Sequence, residues 1–394
     1  MAPDPRPTLL LAFLLALLGA PAAHATSYIV VRLDEVRLLD SGEIDNAELQ
    51  YVIVASTGNH GNEAITVQTT TFPLAKWYAS DEDGLNALFM GPHDQAVPIF
   101  AWPEDEMGDE LTLLVTVVED DHTSDAIIIG HAVAAKIGTA IATYYSAEGG
   151  AGVEILSRAV QRQIEDAAHV DILDGPLPQT LLREARDGST FGIRRGEHSR
   201  VFEPTEGNNV WIKFSVLRVT AREVYADWCV SATLEKIKIV DDSDDGTQGD
   251  GDISIRARAA DGYVAAPISQ LDQHVVALPR SGERSVESGH SFPLGDAPRL
   301  YSNSRGSGRE ARCTGLPPFL FLEVDVFDED DPSSDDTAVL PLFFTHRWLR
   351  EHSNRSTPIK YRVRGGGGLR ADISVVVRVW DPHEDPDAPN SNRR

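Results

Sequence analysis

The stretches LDEVRLLD (residues 33–40) and LEKIKIVD (residues 234–241) are two versions of one sequence pattern. In both, apolar and charged residues alternate, which is typical of a half-buried β-strand. Each stretch runs into an acidic turn that contains glycine, and a second alternating stretch follows. The chain therefore contains a repeated β-rich unit, and this repeat decides the fold class.

Two further pairs of stretches match in the same order. LLVTVVEDD (residues 113–121) resembles FLEVDVFDED (residues 321–330), and in both an apolar strand runs straight into an acidic loop. IKFSVLRVT (residues 212–220) resembles ISVVVRVWD (residues 373–381), and both alternate around an Arg-Val pair. Ordered matches of this kind predict two homologous domains.

The repeat predicts a mainly β fold of two tandem antiparallel β-sandwiches, at residues 26–222 and 228–382. The first copy carries an extra segment at about residues 126–174. The apolar and amphipathic pattern of this segment predicts a helical hairpin over 126–168. This hairpin either covers one end of the sandwich or inserts into a membrane. The charged, proline-bearing residues 383–394 predict a disordered tail.

The first 25 residues have the pattern of a secretory signal peptide. Arg6 precedes an apolar run at residues 9–18, and Ala23-His24-Ala25 matches the small-x-small cleavage rule. We therefore expect cleavage after Ala25 and a secreted or periplasmic protein.

The charge balance excludes one class of partner. The chain of 394 residues has 61 acidic and 35 basic residues, a formal net charge of -26. Binding to nucleic acid requires clustered lysine and arginine, so this composition argues against it. It suits an extracellular protein, a saline habitat or bound cations, and composition does not separate these.

Cys229 and Cys313 are the only two cysteines. Because exported thiols usually pair, we expect a disulfide between them, the alternative being two buried free thiols.

Eleven aspartates lie within residues 241–252 and 328–336. Calcium takes six to eight oxygen ligands, mostly carboxylates, and two loops at one end of a sandwich can converge on one ion. The alternative is that aspartate simply favours turns and solvates loops. The candidate calcium ligands are Asp244, Asp250, Asp328, Asp330 and Asp336.

These loops resemble the calcium-binding loops of the C2 domain, the β-sandwich of synaptotagmins and protein kinase C. Asp244 and Asp250 have the spacing of the family's first loop and precede an alternating strand, although Gly251-Asp252 stands where the family has Pro-Tyr. Asp328, Asp330 and Asp336 have the Asp-x-Asp-x₅-Asp spacing of its third loop. The resemblance implies tandem C2-like sandwiches, with calcium held between these loops.

The first domain carries a weaker version of the same pattern. Its candidate ligands are Asp40, Asp45, Glu119, Asp121 and Asp125, which form a shorter and mixed set.

The sequence contains no His-Glu-x-x-His, no Gly-x-Ser-x-Gly and no glycine-rich phosphate loop with lysine. We therefore expect a non-enzymatic calcium-binding protein, whose ion serves structure or adhesion to a cell-surface, lipid or protein partner. Two alternatives stay open. One is an ion-independent structural or interaction protein of a saline environment, and the other is a membrane-active protein that uses the hairpin at 126–168.

Overall fold

The structure is a computed structural model, and it is mainly β with antiparallel sheets. It describes residues 25–40, 47–59, 66–79, 87–89, 95–119, 158, 161–162, 171–183, 188–222, 227–242, 251–262, 276–278, 284–294, 297–305, 312–328, 336–365 and 368–381. The predicted leader, apart from Ala25, and the predicted tail lie outside these ranges.

The first half of the chain forms two sheets. One has the strand order β3-β2-β6-β7, and the other has the order β4-β1-β10-β8, with β5 paired to β1 and β9 paired to β10. The strands are β1 (Ala25–Leu38), β2 (Ala47–Gly58), β3 (Thr66–Ala79), β4 (Ala87–Phe89), β5 (Val97–Pro103), β6 (Glu110–Glu119), β7 (Asp171–Leu182), β8 (Ser199–Val201), β9 (Thr205–Glu206) and β10 (Val210–Arg222). A 3₁₀ turn covers Glu104–Glu106.

The second half forms two larger sheets and one small one. The larger sheets have the orders β13-β12-β19-β20 and β15-β11-β22-β21, with β14 paired to β12 and β16 paired to β11, and β17 pairs with β18. The strands are β11 (Cys229–Asp241), β12 (Gly251–Asp261), β13 (Val276–Leu278), β14 (Arg284–Val286), β15 (Ser291–Phe292), β16 (Arg299–Ser302), β17 (Ser304–Arg305), β18 (Arg312–Cys313), β19 (Phe319–Asp328), β20 (Asp336–Thr345), β21 (Arg355–Arg364) and β22 (Arg370–Trp380). A short helix, α1, covers His346–Glu351.

The strands that match in sequence occupy the same positions in the two halves. Strands β2 and β6 are central neighbours in one sheet, as are β12 and β19, and β1 and β10 are central neighbours in the other, as are β11 and β22. These four strands of each half contain the matched stretches.

A β-bulge recurs at the same place in both halves. In β1 the register against β10 shifts between Leu33 and Glu35, and in β11 the register against β22 shifts between Leu234 and Lys236. Both bulges follow the leucine that opens the repeated pattern. A bulge inserts one extra residue into a strand and bends it, so both halves share a local irregularity as well as a strand order.

The apolar face of each strand points into a core. In β11 the side chains of Val230, Ala232 and Leu234 are buried, and beyond the bulge the buried positions shift to Ile237 and Ile239. The two larger sheets of the second half contribute to one apolar cluster, and those of the first half contribute to another.

The cores of the two halves are in contact. Strand β19 is buried along its whole length. Its even-numbered residues from Leu320 to Val326 belong to the second-half core, whereas Phe319 and Phe321 belong to the first-half cluster. Five second-half side chains belong to the first-half cluster: Ala260, Phe319, Phe321, Val339 and Phe343. The guanidinium of Arg32 lies over the ring of Phe343, at 5.7 Å from the centroid.

The predicted helical insertion is covered only in part. Arg158, Gln161 and Arg162 are helical, and the remainder of 126–168 lies outside the described ranges. The insertion was predicted to extend to about residue 174, and its last four residues belong to strand β7, which covers Asp171–Leu182. The short apolar run in β7 is interrupted by Asp174-Gly175-Pro176, which hid its strand character. In the part of the chain that the structure describes, no helix has the length and apolar character needed to cross a membrane.

Candidate metal centre

Three strand ends of the second half meet at one edge of a sheet. Strand β19 ends at Asp328, and β20 begins at Asp336, which is its cross-strand partner. On the other side, Asp328 is paired with Ile253, near the start of β12. The acidic loop that precedes β12 and the acidic loop between β19 and β20 therefore begin or end at neighbouring strand positions.

Asp328 is a fully buried carboxylate at this edge, with 0% of its surface exposed. Burying an ionised carboxylate is costly unless it is paired, hydrogen-bonded or bound to a cation. Its oxygens are ligands of the kind that hard divalent cations prefer. The chemistry of this position fits a calcium ligand.

The other predicted ligands are described less fully. Asp336 opens β20, and only its backbone position is described. Asp244, Asp250 and Asp330 lie outside the described ranges. Among the residues that are described, no group of three or more histidine, cysteine or acidic side chains is arranged to hold a metal ion.

A third turn lies at the same end of the second half. The turn between β21 and β22 begins at Gly365, whose amide donates to the carbonyl oxygen of Leu369 at 2.7 Å. A Cβ on Gly365 would lie 2.3 Å from the carbonyl oxygen of Thr337, so only glycine allows this approach. Gly365 therefore packs against the beginning of β20, at Thr337.

Two aspartates that the sequence groups with the first acidic loop bind protein groups. Asp241 forms an ion pair with Arg370 of β22. Asp242 is buried and accepts hydrogen bonds from the amide and hydroxyl of Ser288, at 2.9 and 2.7 Å. Both side chains hold the loop's first residues against the sheet.

In the first half, the predicted set is described at two positions. Glu119 ends β6 and is paired through its backbone with Leu49 and Asp171, an arrangement parallel to that of Asp328. Asp40 is exposed, and its amide donates to the carbonyl oxygen of Asn209 at 3.3 Å. Asp45, Asp121 and Asp125 fall in parts of the chain that the structure does not describe.

Sequence reasoning missed Asp174, which joins the two sheets of the first half. It is buried in β7, and its Oδ2 accepts the amides of Asn209 and Val210 at 2.7 and 3.0 Å, the latter in β10. Its Oδ1 accepts the amide of Gly175 at 2.8 Å. The Asp-Gly-Pro run is a turn signature that could have identified it.

Each bulge carries an acidic residue that accepts a hydrogen bond from a serine hydroxyl. Asp34 accepts from Ser215 at 3.1 Å, and Glu235 accepts from Ser374 at 2.9 Å. Arg32 lies 3.1 Å from Asp34, yet burial outweighs this pairing and raises the pKa of the Asp34 carboxyl above its ordinary value. The sequence shows these sites only as two successive polar residues within an alternating strand.

Cys229 and Cys313 lie at disulfide distance, with their Cα atoms 5.1 Å apart. The separation is well within the range that a disulfide requires, as the sequence predicted.

Comparison with known proteins adds little. No family model matches the chain, and no curated protein matches it. Among solved structures, it is similar to human GIVD cytosolic phospholipase A2, to its complex with methyl gamma-linolenyl fluorophosphonate, and to that complex with terbium chloride. The identities are 8%, 8% and 7%, each TM-score is 0.21, and the matches cover 90% of this chain. They cover 32–33% of the other chains, so this chain spans about a third of their length. At this similarity the matches identify neither a shared fold nor a shared activity.

Proposed function

We propose that this chain is a secreted, non-enzymatic protein built from two C2-like β-sandwiches, the second of which binds calcium. The proposed ligands are Asp244, Asp250, Asp328, Asp330 and Asp336. One observation carries the proposal: Asp328 is paired with both Ile253 and Asp336, so the two acidic loops meet at one sheet edge.

The tandem C2-like architecture has its own support. The two halves share their strand order, and their bulges occur at matching positions. In the first half, β6 leads into one acidic loop and its neighbour β2 follows the other. In the second half, β19 and its neighbour β12 have the same arrangement. A site in the first half would use Asp40, Asp45, Glu119, Asp121 and Asp125, and it would be the weaker of the two.

Calcium fits the proposed ligands better than other cations do. A set of carboxylates on two loops suits seven or so loosely arranged oxygens, whereas magnesium requires a strict octahedron. Zinc prefers nitrogen and sulfur ligands, and no histidine or cysteine belongs to the proposed set. When bound, the ion would neutralise carboxylates that otherwise repel one another. It would thereby hold the two loops together, either for stability or for adhesion to a partner at a surface.

The experiment is a calcium titration of the mature chain, followed by calorimetry and by thermal unfolding. Because the ion binds only the folded protein, calcium at a hundredfold excess over its dissociation constant should stabilise it by about 2.7 kcal/mol. Magnesium at the same concentration should stabilise it less.

Two matched variants distinguish the loss of calcium ligands from a general loss of negative charge. D328N/D330N should abolish the gain with calcium and leave the calcium-free protein as stable or slightly more so, because repulsion is relieved. D105N/D109N removes the same charge from exposed positions of the first half and should respond as the wild type does. A wild-type melting temperature that millimolar calcium leaves unchanged would instead favour the ion-independent protein of a saline environment.

A further inference from the structure

A groove lies on the outer face of the sheet β15-β11-β22-β21. Its volume is about 410 Å³, which lies within the usual range for small-molecule sites. Because the first half packs on β19 and β20 of the other sheet, this face points away from it. The polar side chains that line the groove are Glu235, Lys236, Lys238, Lys360, Asp372 and Ser374.

The strand register sets the lysines around the groove. Lys236 of β11 and Lys360 of β21 are both partners of Ser374 in β22, so they flank it from opposite sides. Two strand spacings, about 10 Å, separate their backbones. Lys238 is the partner of Asp372, one step further along the same strands. The lysines therefore line both rims, while Ser374 and Asp372 lie between them.

The bulge in β11 creates part of this arrangement. At the bulge, Glu235 and Lys236 are consecutive residues and both are exposed, whereas their neighbours Leu234 and Ile237 are buried. A regular strand would have directed one of the two inward. The irregularity that both halves share thus adds one charged side chain to the groove.

Positive charge is concentrated here in an otherwise acidic protein. The chain has six lysines, and three of them line this groove, although the net charge is -26. Within the described part of the chain, none of the three ammonium groups makes a hydrogen bond or an ion pair. The lysines are therefore available to a ligand.

The acidic groups of the groove already have basic or hydroxyl neighbours. Asp372 accepts two hydrogen bonds from Arg362, at 2.7 and 2.9 Å, and Glu235 accepts one from Ser374. Arg362, followed by Lys238 and Lys236, lowers the pKa of the Asp372 carboxyl below its ordinary value. The positive charge of the lysines thus acts on Asp372 at the floor of the groove. The carboxylates of Asp372 and Glu235 can each accept further hydrogen bonds.

In the first half, an acidic neighbour neutralises the cation at the corresponding place. In the repeat, Glu35 occupies the position of Lys236, and Arg37 occupies the position of Lys238. There Arg37 forms an ion pair with Glu35 at 2.6 Å. Glu35 thus neutralises Arg37 in the first half, whereas Lys236 adds a second positive charge beside Lys238 in the second half.

We propose that this groove binds a saccharide that carries sulfate or phosphate groups. The three ammonium groups would bind the anionic substituents as point charges. The carboxylates of Glu235 and Asp372 would accept hydrogen bonds from the sugar hydroxyls. A phosphate-covered membrane surface offers fewer hydroxyl donors to these two carboxylates, so the saccharide is the better fit.

The test is calorimetric titration with a dextran sulfate oligosaccharide and with the same uncharged dextran, at low ionic strength. EDTA is present throughout, so that the outcome is independent of the proposed calcium site. The wild type should bind the sulfated oligosaccharide, with an affinity that falls as salt is added, and should not bind the uncharged one.

Three variants identify the groove. K236Q/K238Q/K360Q should bind at least about tenfold more weakly, because three exposed charge pairs are lost. K236E introduces the first-half residue beside Lys238 and should weaken binding similarly. R194Q/R195Q/R355Q removes the same charge from exposed positions elsewhere and should bind as the wild type does, with all variants checked for unchanged melting temperatures.

Several results would overturn the proposal. They are equal binding by the wild type and K236Q/K238Q/K360Q, equal binding of charged and uncharged dextran, or no binding of either. Binding only to vesicles that contain phosphatidylinositol phosphate, without binding of the free oligosaccharide, would reject the saccharide as the ligand class.

Discussion

Glu323 of β19 and Arg258 of β12 form an ion pair that is closed off from water. The carboxylate Oε2 accepts from Nη2 and Nε of the guanidinium, at 2.6 and 2.9 Å, and the two side chains are 0% and 4% exposed. The guanidinium also lies 5.9 Å from the ring centroid of Phe321, which belongs to the first-half core cluster. The pair is thus part of the surface that joins the two halves.

Neutralising one member of this ion pair should lower the free energy of unfolding more than replacing both members by apolar side chains. Glu323→Gln leaves a buried guanidinium without its compensating charge, and we expect a loss of about 3 kcal/mol in the free energy of unfolding. R258M/E323L replaces both members by apolar side chains of similar size and should recover most of this loss. Chemical denaturation of the two variants checks the order. A double variant that is less stable than E323Q would contradict the explanation.

Asp174 should be needed for the two sheets of the first half to stay joined. Asp174→Ala leaves three backbone amides without their acceptor, and we expect a loss of about 3 kcal/mol. A Cβ on Gly207 would lie 2.2 Å from the Asp174 carboxylate, so Gly207→Ala should also destabilise the protein. Asp109→Ala, at an exposed position, is the control and should change the free energy of unfolding by less than about 0.5 kcal/mol.

The bond between Cys229 and Cys313 should stabilise the folded protein. The two residues are 84 positions apart, and in the chain-entropy model closing such a loop contributes about 4 kcal/mol. C229S/C313S should therefore unfold at lower denaturant concentration. A reductant should lower the stability of the wild type and leave the variant unchanged, while detection of two free thiols in the unreduced, denatured wild type would refute the pairing.

The pKa of Asp372 should report the charge of the lysine groove. Because Arg362 and then the two lysines lower this pKa, the carboxylate favours folding above the pKa of the unfolded chain, and this contribution is lost as the pH falls through the folded value. K236Q/K238Q should raise the pKa towards its ordinary value. Arg362→Gln should raise it further, since Arg362 is the largest cause. Carboxyl carbon NMR titration measures both shifts, and the reverse order would contradict this assignment.

The sequence predicted the central strands because their alternation and their repetition are local properties. The matched stretches lie in β1, β6, β10, β11, β19 and β22, in corresponding sheet positions. The bulges could have been predicted as well, since Asp34-Glu35 and Glu235-Lys236 are consecutive polar residues within alternating strands. Five short strands, β14 to β18, lie within residues 284–313, and their pairing partners are mostly distant in sequence, so local pattern does not predict them.

The roles of individual aspartates could not be predicted from composition. Asp241 and Asp242 resemble their loop neighbours in sequence, but Arg370 and Ser288 bind them from 129 and 46 residues away. Such partners depend on the sheet pairing rather than on local pattern. The position of Asp328 was predictable because a strand that runs into an acidic loop is visible in the sequence itself.

The aromatic face that β19 and β20 present to the first half makes the solubility of the second half depend on the first. A second half expressed alone would expose Phe319, Phe321 and Phe343, and exposed apolar patches of this kind promote self-association. These residues are therefore tolerable only where a neighbouring domain covers them. We therefore expect the second half to stay soluble only in a chain that also carries the first half, and to self-associate when it is expressed alone.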